Sequence, residues 1–382
     1  MTGSDLRPAV RKGSPRHVAA AGPKRILVTG GAGFIGATLT SELLRRGHQC
    51  TVVDDLSAGT GERLARLQSG PRAPRWLDID VEAPGGFARA LDLAGPVDTL
   101  VHLAARVGVR RVLRDPEGCR AAHLAASNGL VSALSELSRA DRPRVFAAST
   151  SEVYRDRQGP LAEGDPLRSA DGVGRWAYAA SKRRGEELLD AAGELWDPAQ
   201  RPVHLRLFNV VGPGQDARSG MVVPVFIERA LAGRALPVHG DGGQLRTFGH
   251  VDLVSRALAE MLEHEGFPAG PVNLGGDLRV TVMELARAVA SRVSTSIVSV
   301  DPRDSVGASF EEVHSREPDL TRATALGLEL TGLSLEALID DCLVRHGALA
   351  LGAKSALAER AAASRGHVLR EMGSVACASL GS

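Results

Sequence analysis

From Lys24 onward, short apolar runs alternate with longer stretches whose apolar positions recur at helical spacing. Residues 25–28, 49–53, 99–103, 144–148 and 203–207 are almost continuously apolar, which predicts strands covered on both faces. Helical periodicity predicts helices over 37–46 and 179–192. Strand and helix in alternation read as an α/β protein, a Rossmann-type doubly wound parallel sheet with ligands at the carboxyl ends of its strands. Past Asn209 the regularity breaks at Gly212-Pro213-Gly214 and Gly240-Asp241-Gly242-Gly243, which predicts a smaller C-terminal lobe that closes over a substrate. The expected organisation is a disordered basic leader over 1–23, the sheet domain over 24–208 with later segments able to return to it, the smaller lobe over 209–347, and a tail over 348–382.

The first strand runs into Thr29-Gly30-Gly31-Ala32-Gly33-Phe34-Ile35-Gly36 and then into a helix, so the glycines sit where a strand turns into a helix. Gly30 permits the tight turn, Gly33 lets backbone approach a pyrophosphate, and Gly36 lets helix and sheet pack closely. The helix start, at Phe34 and Ile35, offers free N–H groups and a positive dipole end to phosphate. The second strand ends in Asp54-Asp55, where a carboxylate can accept hydrogen bonds from the adenosine ribose. That charge repels a 2′-phosphate and no arginine follows at once, which favours NAD over NADP. Asp80, in the stretch 76–81, is placed to meet the adenine edge; a solvated strand-end acid is an equal reading, and Asp78 competes for the role.

Tyr178 and Lys182 stand four residues apart, on one face of the second helix. An ammonium so placed lowers a phenol's pKa, making it a base toward a sugar hydroxyl. Taken alone, such a pair reads more often as a surface coincidence. The strand 144–148, however, delivers Ser149-Thr150-Ser151-Glu152-Val153-Tyr154 at its carboxyl end. Thr150 can share a hydrogen bond with the reacting hydroxyl, and Glu152 can handle protons at a second ring position; helix capping is the alternative for both.

These stretches, with His102-Leu103-Ala104-Ala105, the run 206–213 and Gly240 to Arg246, resemble the extended short-chain dehydrogenase/reductase family of nucleotide-sugar epimerases, dehydratases and decarboxylases. The resemblance covers residues 24–343. It implies a Rossmann domain with a substrate lobe, a homodimer, Tyr178 as base, Lys182 as its electrostatic partner and ribose contact, and Thr150 as supporting hydroxyl. Val81 and Leu103-Ala104-Ala105 would lie along NAD. Asn209 would contact the diphosphate of a UDP-sugar; Met221, Val222, Val223, Phe226, Val238 and His239 would wrap uracil and ribose, with simple core packing as the alternative for 221–226. Arg246 would meet the diphosphate or the sugar and, with Glu152, orient a substrate carboxylate and manage the proton at C5. Thr150-Ser151-Glu152 is the form similar to UDP-glucuronate decarboxylases, since the related 4,6-dehydratases carry Asp where Ser151 stands. A 4-epimerase, with Glu152 a polar bystander, is the nearest rival, and a catalytically silent NAD-binding regulator a remote one. Two positions depart from the resemblance: Arg155 replaces a glycine, and His123 stands where relatives place asparagine.

Charge and composition narrow the partners. Forty-six Lys and Arg against 45 Asp and Glu leave a formal charge of +1, so no overall field favours nucleic acid or a membrane surface, and an anionic ligand must be held locally. Arg106, Arg110 and Arg111 are candidates to hold a substrate carboxylate, with a solvated basic loop as the commoner reading. Cys50, Cys119, Cys342 and Cys377 are scattered without metal-ligand spacing or a disulfide framework, and there is no apolar run of about 18 residues. The expectation is a cytoplasmic enzyme with no bound metal.

Overall fold

Strand β1 (Arg25–Thr29) sends Ile26 and Val28 into one apolar layer and Leu27 into the opposite one, as the two-residue side-chain period of a strand requires. The computed structural model describes residues 22–58, 61–264, 266–301 and 316–345; the tail at 348–382 and all but the end of the leader lie outside them. The strands that follow are β2 (Gln49–Val53), β3 (Arg75–Leu77), β4 (Thr99–His102), β5 (Arg144–Thr150), β6 (Val203–Leu207), β7 (Val210–Val211), β8 (Leu236–His239), β9 (Leu245–His250), β10 (Gly270–Leu274), β11 (Leu278–Thr281) and β12 (Ile297–Val300). The main helices are α1 (Phe34–Arg45), α2 (Glu62–Ser69), α3 (Gly86–Ala94), α4 (Val109–Arg114), α5 (Pro116–Glu136), α6 (Ala177–Ala191), α7 (Val222–Leu231), α8 (Val251–Glu263) and α9 (Val282–Val293).

Seven strands form one parallel sheet in the order β10-β6-β5-β4-β1-β2-β3. Helices α1 and α8 cover one face, where Leu39, Leu43, Val254 and Leu258 meet Ile26 and Val28. Helices α3, α5 and α6 cover the other, where Phe87, Leu130 and Leu189 meet Leu27 and Val145. Strand order reverses between β1 and β4, and the crevice that opens there at the carboxyl ends is where such sheets bind ligands. The chain beyond Asn209 is not wholly separate: α8 packs on α1, and β10 joins β6 as the seventh strand. What remains builds a second core, in which α7 and α9 cover β8, β9 and β11.

Helix α1 begins at Phe34, three residues before its apolar periodicity does, because Gly33 is its N-cap and no side chain is needed there. At Gly36 a methyl group would run into the Gly30 carbonyl oxygen, which is backbone and cannot swing away. Gly36→Ala is therefore expected to cost about 1–3 kcal/mol as overpacking, read by denaturant unfolding; an unchanged midpoint would mean that the loop relaxes freely. Helix α5 starts with Pro116 in its first turn and Asp115 as cap, accepting from the Gly118 N–H at 2.9 Å. That fixes the register of the helix that carries Cys119 and His123.

Candidate active site

A cleft of about 1180 Å³ opens across the carboxyl ends of β1, β2, β4, β5 and β6. Its first half is built by the glycine loop. Gly30 has φ 68°, and its missing side chain leaves room for the Ala104 backbone to close against it. Gly33, Phe34, Ile35 and Gly36 form the floor, with the start of α1 uncapped by any side chain. The Asp54 carboxylate is held at both oxygens, by the Ala32 N–H at 3.0 Å and the Leu56 N–H at 2.9 Å. Burial pushes its pKa up despite those donors. Asp55 is exposed and folds back on Ser57, while still bordering the cleft. Of the two acids after β3, Asp80 borders the cleft with Val81, and Asp78 does not. Leu103, Ala104 and Ala105 close this half. Free helix N–H groups, a backbone approach that only glycine allows, and a fixed carboxylate together fit a dinucleotide.

The second half gathers the hydroxyl, phenol and ammonium. Strand β5 ends at Thr150, whose Oγ1 accepts from the Glu152 N–H at 3.2 Å and whose hydroxyl also bonds the Tyr178 phenol. Thr150 thus both caps the turn and faces the phenol. The Lys182 ammonium, buried, donates to the Ala148 carbonyl at 3.0 Å, and burial pulls its pKa down to about 8. Tyr178 departs from the sequence expectation. Burial and then the Glu152 charge push its phenol well above the usual range, and only Thr150 opposes them. The physical reason is loss of solvent around the phenol, while the Lys182 ammonium turns to the strand carbonyl.

Glu152 has a partner that no local motif announced. Arg316 Nη1 lies 3.4 Å from its Oε1, with the arginine side chain 11% exposed. Arg316 Nη2 is buried without a hydrogen-bond partner among the described residues. Burial lowers its pKa and Glu152 opposes that shift. Trp176 supports the arginines of this wall: Arg168 lies over its ring at 3.6 Å, Arg175 at 4.9 Å and Arg316 at 5.8 Å. Both Arg175 and Arg316 border the cleft. The signal that could have found Arg175 is its place three residues before Tyr178.

Asn209 and Met221 also border the cleft, with the Asn209 amide donating to the Thr247 carbonyl at 3.1 Å. Several expected substrate contacts lie elsewhere. Val223, Phe226 and Val238 are 2%, 1% and 0% exposed in the core under α7 and α9, because they fall on the inward stripe of their elements. Val222 packs against that same core, and the His239 carbonyl accepts from the Gln244 amide. Arg246, on β9 opposite Val280, donates to the Leu245 carbonyl and does not border the cleft. Arg106 and Arg111 both border the cleft, and the Arg106 guanidinium is already clamped by both Glu82 carboxylate oxygens. The Arg110 side chain lies outside the described residues.

Two histidines behind the site carry a pH prediction. His102 Nδ1 lies 2.7 Å from Thr29 Oγ1, and burial pulls its pKa to about 3; burial, then the Lys182 charge, takes His123 to about 2. Both stay neutral when folded, while the unfolded chain takes up their protons below the usual 6.5. Their contribution is present above pH 6.5 and is lost as pH falls, by about 2 kcal/mol per histidine on reaching pH 5. Denaturant unfolding at pH 7 and pH 5 checks this; equal stability at the two would contradict it.

Comparison with known proteins gives concordant results. The model of the NAD dependent epimerase/dehydratase family matches residues 26–275. A UDP-N-acetyl-alpha-D-glucosaminuronate decarboxylase of Bacillus cytotoxicus is 32% identical over 305 residues, covering 78% of this chain and 90% of its own. UDP-glucuronic acid decarboxylase 1 of Danio rerio is 31% identical over 307 residues, covering 79% and 68%. Among solved structures, a Thermus thermophilus UDP-glucose 4-epimerase in complex with NAD superposes with a TM-score of 0.69 at 27% identity, covering 84% of this chain and 98% of the other.

Proposed function

The chain belongs to the NAD dependent epimerase/dehydratase family, and from that premise we propose that it decarboxylates UDP-glucuronate through a 4-keto intermediate, giving UDP-xylose, a UDP-4-keto-pentose or both. The observation that carries this reading is the Glu152/Arg316 pair, set beside Thr150 and Tyr178. Exchange of configuration at C4 requires only the hydroxyl, phenol and ammonium. A carboxylate with an arginine that keeps a spare donor serves chemistry one carbon further along the ring, and the two relatives named as decarboxylases act on uronates.

The glycine loop, the α1 N-terminus and Asp54 would hold NAD, which when bound supplies the hydride acceptor for C4 and a positive charge beside the phenol. Tyr178 takes the proton of the 4-hydroxyl, and Thr150 shares its hydrogen bond with the same oxygen. Lys182, cationic below about pH 8 and bonded to the Ala148 carbonyl, would contact the cofactor ribose. With a ketone at C4, the carboxylate on C5 belongs to a β-keto acid. Its C5–C6 bond breaks, carbon dioxide departs, and the electron pair flows to the C4 oxygen, where Tyr178 and Thr150 stabilise the enolate. The spare Arg316 donor and Arg175 hold the carboxylate before it leaves, and Glu152 manages the proton that returns to C5. Asn209 and Met221 contact the nucleotide end.

A second reading, UDP-hexose or UDP-hexuronate 4-epimerisation, has the Thermus thermophilus likeness in its favour. One experiment separates the two. The NAD-loaded protein is given UDP-glucuronate, and in parallel UDP-N-acetylglucosaminuronate, with the product mass as readout. A product lighter by carbon dioxide from UDP-glucuronate supports decarboxylation. An unchanged mass with an epimerised C4 would replace it with the second reading.

A further inference from the structure

His123 is the position where the resemblance expects asparagine, and its surroundings give the imidazole a defined task. Cys119 and His123 stand one turn apart on α5, and both reach the main chain of Arg106. Cys119 Sγ donates to the Arg106 carbonyl at 3.3 Å, and the Arg106 N–H donates to His123 Nε2 at 2.9 Å. Both backbone groups of an irregular loop residue are thus satisfied by one helix face.

A ring nitrogen that accepts from an amide cannot carry a proton itself, so in the neutral ring the proton sits on Nδ1. That nitrogen lies 2.8 Å from Ser181 Oγ, and the Ser181 hydroxyl in turn donates to the Tyr178 carbonyl at 2.7 Å. The bonds run in one direction, from the Arg106 N–H through His123 and Ser181 to the first turn of α6. The imidazole also meets the Tyr178 ring edge-on, with centroids 5.5 Å apart at 69°. Burial holds His123 neutral, its pKa drawn to about 2. One end of this series is the loop after β4, which borders the cofactor half of the cleft; the other carries Tyr178 and Lys182.

We propose that His123 is a positioning residue, fixed as the Nδ1-protonated neutral tautomer, which ties the cofactor-side loop at Arg106 to the helix of the base so that the phenol is set in register with the bound dinucleotide. The inference rests on Tyr178 being the base. Asparagine in this place ends its amide near the Nδ1 position, which keeps the Ser181 partner and leaves the Arg106 N–H unpaired. An imidazole reaches both.

The test has two readouts. In full-length, NAD-loaded protein labelled with nitrogen-15 histidine, and assigned by the signal lost in His123→Asn, His123 is expected to show a protonated Nδ1 and a bare Nε2 from pH 8 to pH 5.5. A proton on Nε2, or an imidazolium within that range, would overturn the proposal. This readout needs no turnover, so it stands apart from the identity of the nucleotide sugar. In kinetics on whichever nucleotide sugar is turned over, His123→Asn is expected to lower kcat about ten- to a hundredfold, with KM and NAD content within about twofold. Adding Ser181→Ala to it should cost no more than the larger single loss, because the two act as one series. Multiplicative losses, or a kcat unchanged in His123→Asn, would refute the coupling.

Discussion

Replacing Tyr178 by phenylalanine is expected to lower sugar turnover by about 10²–10⁴-fold, the usual contribution of a positioned proton carrier, while NAD stays bound. The ring contact with His123 survives in this variant, and so does the Lys182 bond to the Ala148 carbonyl, so only the phenolic oxygen is removed. That oxygen is costly to ionise where it lies, since burial and the Glu152 charge both raise its pKa and Thr150 alone lowers it. A phenol in that state is a poor base until the cofactor's positive charge arrives, which confines proton abstraction to the loaded enzyme. Steady-state kcat together with the NAD content of the purified variant checks this. Turnover near that of the parent would remove Tyr178 from the chemistry.

Glu152→Gln is expected to separate oxidation from decarboxylation. Loss of carbon dioxide should fall by about 10²–10⁴-fold if the carboxylate manages the C5 proton. The near-ultraviolet absorbance of NADH should still appear on mixing with UDP-glucuronate, because Thr150, Tyr178 and Lys182 are intact. A second effect has a fixed sign. Glu152 raises the Tyr178 pKa, so removing its charge should shift the ascending limb of the pH–rate profile, where the base ionises, to lower pH. Undiminished carbon dioxide release in the variant would make Glu152 a bystander. Arg316→Ala leaves Glu152 without its 3.4 Å partner and is expected to weaken uronate binding more than that of the corresponding neutral hexose.

Much of the frame was legible because it depends on neighbours along the chain. Residues 49–53 and 203–207 read as strands and are β2 and β6, since burial on both faces leaves a continuous apolar run. The glycine loop, Thr150 with Glu152, and Tyr178 with Lys182 each lie within one turn or one strand end, so their spacing already put them on one side of the sheet. The Glu152/Arg316 pair was not legible, because folding alone brings those residues together. Arg246 drew the role instead from a local motif, and it lies on β9 opposite Val280, off the cleft lining. The apolar stretch 221–226 was ambiguous for a different reason: a core stripe and a ligand wall share one composition, and folding leaves Met221 at the cleft while Val223 and Phe226 enter the core. The direction of the Lys182 ammonium depends on one carbonyl of β5 that no spacing reveals.

The fate of a single carbon tests the proposed reaction most directly. With UDP-glucuronate carrying carbon-13 at C6, the NAD-loaded protein is expected to release the label as carbon dioxide and leave an unlabelled UDP-pentose. Full retention of the label in a UDP-hexuronate, with or without inversion at C4, would contradict decarboxylation.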